Sequence, residues 1–170
     1  MEIELEKQII DVLEQTKEKI RANMSAERIN ASGRTSASLH VEVRDGGSSF
    51  ALVGGGSGAA PIQTLEFGRG SGKVPVGFYD MIKQWTRDKG LTFPSERERN
   101  TFSYFVARKI AREGTQRHTD PSTRKDVYST AAAEATEQLR EIVNNYTAVT
   151  IFGAFEKSKA TVAGLRGAFT

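Results

Sequence analysis

The residues that could carry out chemistry are few and lie far apart. The chain has two histidines, His40 and His118, and no cysteine. The lack of cysteine excludes disulfides, thiolate nucleophiles and thiolate metal ligands together. Two histidines so widely separated do not predict a zinc site. Each is predicted to be an ordinary surface histidine, and pairing of either one with a distant carboxylate for acid–base chemistry is the alternative.

Two glycine-rich stretches come close to known motifs without matching them. Gly68–Pro75 contains Gly72 followed by Lys73, but a phosphate-binding loop needs glycine where Phe67 stands and Ser or Thr where Val74 stands. The stretch around Ser57 departs from the G-x-S-x-G nucleophile elbow at its last residue, which is alanine. The sequence therefore predicts no catalytic residue, no cofactor site and no enzyme.

Charge is unevenly distributed along the chain. Residues 1–24 hold six acidic and four basic residues, and residues 83–125 hold eleven basic and five acidic ones, while the net charge is only +3. A basic region such as residues 83–125 is typical of a solvated helical surface, and it is also consistent with a face that meets an acidic partner or DNA. We call its densest part the basic cluster; it consists of Arg108, Lys109, Arg112, Arg117, Arg124 and Lys125.

Two aromatic residues near the basic cluster bear on nucleic-acid binding. Phe102 and Phe105 recur with Val106 and Ile110 at helical spacing. We therefore expect them on the buried stripe of a helix, where they could not stack on nucleic-acid bases.

The hydrophobic pattern predicts four main helices. An amphipathic helix is expected over residues 2–24, a pair of helices over 77–89 and 95–114, and a long helix over 122–144. Ser95 with Glu98 forms a capping box at the start of the third helix, and Asp120 before Pro121 is expected to start the last one. Alanines along the last helix predict close approach of a partner element.

Alternation of apolar and polar residues predicts the strands. Residues 38–44 and 49–53 are expected to form a hairpin, because Asp45-Gly46-Gly47 between them tolerates the positive φ of a tight turn. Residues 62–67 are expected to add a third strand and residues 147–152 a fourth. The fold class is therefore α+β: a small antiparallel sheet of three to four strands packs against the N-terminal and the long C-terminal helix, with the helix pair inserted.

Residues 1–152 are predicted to form one domain and residues 153–170 a tail or arm. The glycine-rich loops Gly54–Ala60 and Gly68–Pro75 lose much conformational entropy on ordering. We therefore expect them to be ordered chiefly where another subunit packs over them.

No apolar run approaches the roughly 20 residues needed to span a bilayer, and the acidic, amphipathic N-terminus is unlike a signal peptide. No membrane association is predicted.

Several short stretches, in this order, resemble the tail-completion (head–tail joining, neck) proteins of tailed bacteriophages. The resemblance covers roughly residues 30–150, and the sequence departs from the family between Gln116 and Pro121, where many relatives have a proline–aromatic segment. The matching stretches are Ser32-Gly33-Arg34-Thr35 with Leu39, Ala60-Pro61, Leu65-Glu66-Phe67-Gly68, Ile82–Trp85 with Lys89–Leu91, and Ala107–Ile110 with Glu113–Thr115.

The resemblance implies an α+β structural virion protein that forms a ring at the neck, joins portal-side and tail-side proteins, and is assembled in the cytoplasm of the host bacterium. By analogy the ring is six- or twelvefold, and the basic cluster could contact packaged DNA. The oppositely charged parts of the chain favour a head-to-tail interface, which can close into a ring. The alternative function is a basic nucleic-acid-binding module. The predicted interface residues are Glu66, Phe67, Gly68, Arg69 and Lys73.

Overall fold

The structure, a computed structural model, describes residues 2–55 and 62–167, with side chains described for residues 3–55 and 62–156. In this part of the chain the fold is a helix-rich α+β arrangement with a two-stranded antiparallel sheet. Single 3₁₀ turns lie at Asp45–Gly47 and Pro121–Thr123. The helices and strands are α1 (Glu2–Ala26), α2 (Arg34–Ala37), β1 (His40–Arg44), β2 (Ser49–Val53), α3 (Ile62–Phe67), α4 (Phe78–Asp88), α5 (Glu96–Glu113), α6 (Gln116–Thr119) and α7 (Ser129–Gly167).

The predicted hairpin is present. Strands β1 and β2 pair antiparallel, with His40 opposite Val53 and Arg44 opposite Ser49. Asp45 and Gly46 both have positive φ in the connecting turn. The turn therefore uses the backbone freedom that the sequence offers at this point.

The predicted third and fourth strands are not strands. Residues 62–67 form α3, whose residues Ile62 and Leu65 lie on one side of the helix and pack against the core. Residues 147–152 belong to α7. Their β-branched side chains favour a strand only weakly, and a helix already running from Ser129 overrides that preference. The loop that precedes α3 was predicted over Gly54–Ala60, and residues 56–60 lie outside the described residues.

The core lies where α1 contacts both α7 and the hairpin. Ala131 and Ala135 of α7 are buried, so their small side chains let α1 approach closely, as predicted. The buried Thr16 hydroxyl donates to the Val12 carbonyl oxygen 2.7 Å away, which satisfies that polar group inside the helix. The central cluster consists of Ile20, Met24, Leu39, Val127 and Ala131.

The last helix begins later and runs further than the sequence predicts. Asp120 does act as a cap, since its carboxylate accepts from the Ser122 backbone N–H at 3.0 Å, but it caps a 3₁₀ turn. The long helix starts at Ser129 and continues to Gly167, so the predicted tail is helical as far as that residue. Residues 168–170 of that tail lie outside the described part.

The inserted helix pair, α4 and α5, packs as a helical hairpin. Its contact is made by small polar residues, because Thr86 and Ser103 are fully buried. Arg99 donates to the Thr86 hydroxyl at 3.1 Å. At the start of α5 the Ser95 hydroxyl oxygen accepts from the Glu98 N–H at 3.2 Å, as its capping role requires. Thus the pair forms as predicted, with an unexpected buried face.

Candidate functional site

The structure places all five predicted interface residues and half of the basic cluster in one region. Here the end of α3 and the loop after it meet α6 and the start of α7. We call this region the junction; it comprises residues 65–73, 114–118 and 124–129. None of these three segments is adjacent to another in sequence, so their contacts are tertiary.

Glu66 lies at the centre of the junction. Its side chain is only 4% exposed. One carboxylate oxygen accepts from the backbone N–H groups of Val127, Tyr128 and Ser129 at 3.1, 2.8 and 3.1 Å, and the other accepts from the Ser129 hydroxyl. These N–H groups have no partner within α7, and the helix N-terminus carries partial positive charge. Glu66 therefore caps α7 from a distant part of the chain and is not a surface residue.

The two motifs Leu65–Gly68 and Glu113–Thr115 contact each other at the junction. The Arg69 backbone N–H donates to the Thr115 hydroxyl at 2.8 Å, and the Thr115 N–H donates to the Arg69 carbonyl oxygen at 2.8 Å. The Gly72 N–H donates to the Ala111 carbonyl oxygen, also at 2.8 Å. The loop after α3 is thus tied to the end of α5 by backbone contacts.

Gly68 provides a test of this contact. Its φ is +75°, and a Cβ there would lie 2.7 Å from the His118 backbone nitrogen and closer still to the Thr115 hydroxyl. We expect Gly68→Ala to lower the free energy of unfolding by roughly 3 kcal/mol, from backbone strain plus the clash. Gly77→Ala is the matched control: its φ is also +75°, nothing lies within 4 Å, and about 1 kcal/mol is expected. Urea unfolding measures both, and equal losses would exclude a tight contact at Gly68.

Half of the basic cluster supports the fold. Arg117 donates to the Leu65 carbonyl oxygen, and Arg124 donates to the Arg117 carbonyl oxygen at 3.3 Å. Lys125 forms an ion pair with Glu27 at 2.7 Å. These three cations are therefore engaged within the chain.

The other half of the basic cluster is exposed. Arg108, Lys109 and Arg112 lie on α5, and none of them has an ion pair or hydrogen bond to a described residue through its side chain. They are the part of the cluster that is open to a partner.

The remaining predicted interface residues are mostly half-buried. Phe67 packs edge-on against Tyr128, with ring centroids 6.0 Å apart, and the Arg124 guanidinium lies 5.5 Å from the Phe67 centroid. Arg69 lies 5.4 Å from the Phe78 centroid and donates to the Lys73 carbonyl oxygen. Of the five predicted interface residues, only Lys73 is exposed.

The prediction that Phe102 and Phe105 are buried is wrong. They are 39% and 60% exposed, and the neighbouring Tyr104 is also exposed. Arg99 of α5 contacts Thr86 of α4, and Ser103, four positions later on the same side of α5, is fully buried. The aromatic side of α5 therefore points outward. We call this side the aromatic face; its groove is lined by Phe93, Phe102, Phe105 and Val106 together with Arg97, Glu98 and Lys109.

A second apolar depression lies between α4, α3 and the end of α1. Its volume is about 660 Å³, within the range of cavities that enclose drug-sized ligands. We call it the α4 cavity. The buried Nε of Arg69 has no hydrogen-bond acceptor among the described residues. The apolar lining of the α4 cavity includes Met24, Leu65, Phe78, Met81, Trp85 and Ile110.

His40 is an exposed histidine with two local contacts. Its ring nitrogens contact the Ser38 carbonyl oxygen at 2.8 Å and the Glu42 carboxylate at 2.9 Å. The hydrogen bond to Ser38, then that to Glu42, raise the pKa of His40 above 6.5. The other histidine, His118, lies in α6 beside Gly70. The structure does not bring the two together at a site.

The raised pKa of His40 predicts a pH effect. Protonation favours the folded state, so this contribution is complete below the pKa of the unfolded chain and is lost as pH rises through the folded pKa. We expect Glu42→Gln to lower the pKa of His40, because the side-chain hydrogen bond and the negative charge are both altered. An NMR titration of the His40 ring measures this, with Glu137→Gln on α7 as the control. An unchanged midpoint in Glu42→Gln would contradict the contact.

Among the described residues no group of three or more His, Asp or Glu side chains is placed to hold a metal ion. No helix in the same part of the chain has the length and hydrophobicity to cross a membrane. Comparison with known proteins found no matching family model, no matching curated protein and no matching solved structure. The functional argument therefore depends on the surfaces described above.

Proposed function

We propose that this chain is a structural virion protein of a tailed bacteriophage, a subunit of a ring at the head–tail neck that joins portal-side and tail-side proteins. The observation that carries the proposal is the far end of α7, residues 147–167, which we call the α7 arm. Every residue from Thr147 to Glu156 is exposed, so none of them packs into the core. Val149, Ile151 and Phe152 are each more than 60% exposed.

An exposed apolar helix is unfavourable in water. Each large apolar side chain left exposed forgoes roughly 1.5–3 kcal/mol that burial would contribute. The part of the arm whose side chains are described, residues 147–156, corresponds to about 15 Å of helix. An exposed apolar surface of this kind is typical of a protein that meets a partner. Assembly into an oligomer supplies that partner.

Two features support the resemblance to neck proteins. The resemblance includes a hairpin after Ser32–Thr35, which β1 and β2 form, although the third strand that it also includes is the helix α3. The stretches Leu65–Gly68 and Glu113–Thr115, quoted from separate parts of the sequence, meet at the junction. Their contact gives a physical reason for both stretches to occur in one chain.

The ring is proposed to be heterologous and, by analogy, six- or twelvefold. Its place would be the virion neck, after assembly in the host cytoplasm. Sedimentation velocity and electron microscopy of the purified chain, alone and with neck-less phage particles, test the proposal. We expect rings, or incorporation at the neck. A chain that stays monomeric and does not join particles would contradict it.

A nucleic-acid-binding module is the second candidate, and the aromatic face favours it. Phe102 and Phe105 are exposed on the same helix as the free cations Arg108, Lys109 and Arg112. Aromatic side chains next to cations can stack on bases and contact phosphates.

Salt dependence separates this candidate from the first. If the module binds duplex DNA, replacing the three cations by alanine should reduce the slope of log K against log salt by about 2 to 3. Arg140→Ala on α7, where Arg140 pairs with Glu137, is the control. Absence of salt-dependent binding in the unmodified protein would exclude the module.

A further inference from the structure

We infer that the α7 arm of the free chain pairs antiparallel with the α7 arm of a second copy. This pairing concerns the subunit before assembly, so it goes beyond the proposed ring and does not depend on it. Its basis is one exposed side of α7 that complements itself, in size and in charge, when two copies run in opposite directions.

The exposed side of α7 lies away from α1. Helix α7 meets α1 through the buried Ala131 and Ala135, and further along through a groove where Ile142 and Tyr146 lie beside Leu5. On the other side, exposed residues recur at steps of three and four, which places them on one face of the helix. We call this face the outer stripe; it comprises positions 137, 141, 144, 148, 151, 152 and 155.

The middle of the outer stripe is apolar. Ala148 and Phe155 are seven positions apart, so they lie almost in line along the helix. Ile151 and Phe152 flank that line, one on either side, which gives a band about 100° wide, the width of a typical packing face. The three large side chains of this band are each at least 59% exposed.

The charge of α7 changes sign along its length. Residues 129–146 hold three acidic residues and one basic residue, whereas residues 157–167 hold three basic residues and no acidic one. In sequence, Lys159 and Arg166 continue the steps of the outer stripe, and α7 remains helical to Gly167. The face is therefore acidic before its apolar middle and basic after it.

One acidic residue of the outer stripe is available to a partner. Glu137 is paired with Arg140 on the next turn of the same helix. Glu141 is exposed and has no ion pair or hydrogen bond through its side chain to a described residue.

Antiparallel pairing brings unlike parts of the two stripes together. When the midpoints between positions 151 and 152 coincide, positions equally far from that midpoint come opposite each other. Ala148 of one copy then lies opposite Phe155 of the other, so a small side chain meets a large one. Glu141 comes within one helical turn of position 159 of the other copy, which is lysine. Both contacts occur twice in the pair.

The other arrangements of the arm are less favourable. Parallel pairing places each residue beside its own copy, so Glu141 meets Glu141 and Lys159 meets Lys159, and like charges repel. The aromatic face carries the unpaired cations Arg108, Lys109 and Arg112, which repel the basic end of the arm.

Antiparallel pairing of two identical faces is a two-fold, isologous contact, which closes after two copies. It is therefore separate from the head-to-tail contact proposed for the ring. It covers apolar side chains that the single chain exposes to water.

Cross-linking tests the direction of the pairing, because the chain contains no cysteine. Asn144→Cys and Lys159→Cys are made as separate variants, mixed, and treated with a short bismaleimide. We expect a covalent dimer in the mixture and none with either variant alone, since identical positions are about 22 Å apart along the antiparallel pair. Val143→Cys mixed with Lys159→Cys is the control, because Val143 is exposed on another side of the same turn.

Charge reversal tests the contact between positions 141 and 159. Glu141→Lys and Lys159→Glu should each weaken the dimer about tenfold in sedimentation equilibrium, since the exposed contact occurs twice. The double variant should restore the association of the unmodified chain. A double variant as weak as the single ones overturns the assigned pairing.

The remaining outcomes separate this pairing from the proposed function. A cross-link with Asn144→Cys alone, or as much cross-link in the Val143→Cys mixture, overturns the antiparallel contact and leaves the ring untouched. A free chain that sediments as a monomer but joins phage particles does the same. An antiparallel dimer that forms no ring and joins no particle supports the pairing and contradicts the proposed function.

Discussion

Glu66→Ala is expected to lower the free energy of unfolding by about 4 kcal/mol. The substitution removes the carboxylate that accepts from three backbone N–H groups at the start of α7 and from the Ser129 hydroxyl. A lost helix cap costs about 1 kcal/mol, and breaking a buried interaction with a charged group costs several times more, because its partners stay unpaired. The 4 kcal/mol is a large part of the stability of a typical domain.

Two further variants define the origin of this effect. Glu66→Gln retains one acceptor oxygen and the shape of the side chain but loses the charge, so roughly half the loss is expected. Gln63→Ala is the matched control, because Gln63 is exposed on the same short helix. Urea unfolding followed by circular dichroism measures all three. Equal midpoints for Glu66→Ala and Gln63→Ala would show that the cap does not hold α7 in place.

Local sequence patterns predicted the elements whose causes are local. The hairpin follows from alternation over β1 and β2 and from the residues of the turn. The start of α5 follows from Ser95, whose hydroxyl oxygen accepts from an N–H three residues later. Helical periodicity also located the apolar stripe of α1 and the buried alanines of α7, although both helices were expected on the sheet and α7 packs mainly on α1. In each case the deciding residues are close together in sequence.

Elements that depend on distant contacts could not be predicted. Residues 62–67 alternate well enough for a strand, but the partners of Glu66 lie more than 60 positions later and favour a helix that aims its carboxylate at α7. The side of α5 that is buried was also predicted wrongly. Helical periodicity identified Phe102 and Phe105 as one stripe, yet only the packing of Ser103 against α4 shows which way that stripe faces.

The candidate site was predicted in part. The sequence identified residues 66–73 as unusual and located the basic cluster, but it could not separate cations used within the fold from free ones. Arg117 and Arg124 bind carbonyl oxygens, whereas Arg108 is exposed. The α7 arm was predicted as a tail, because small residues and Gly153 weaken the helical signal there. Its exposed apolar side chains became visible only in the structure.

Replacing Ile151 and Phe152 together by serine is expected to weaken self-association by about 10² to 10⁴. Burial of each side chain contributes roughly 1.5–3 kcal/mol, and 1.4 kcal/mol corresponds to a tenfold change in the association constant. Both residues are more than 60% exposed in the single chain, so the fold of the subunit should be unaffected. Sedimentation velocity measures the loss of oligomer, and circular dichroism establishes that the subunit remains folded.

Val43→Ser is the matched control for this variant. Val43 is also an exposed apolar residue, but it lies on β1, away from the α7 arm and the α4 cavity. It should leave self-association unchanged, since no described feature of either surface involves it. If the arm variant assembled as well as Val43→Ser, then the arm would not be the contact that holds subunits together. A ring formed by such a variant would need its interface elsewhere on the chain, with the aromatic face as the next surface to test.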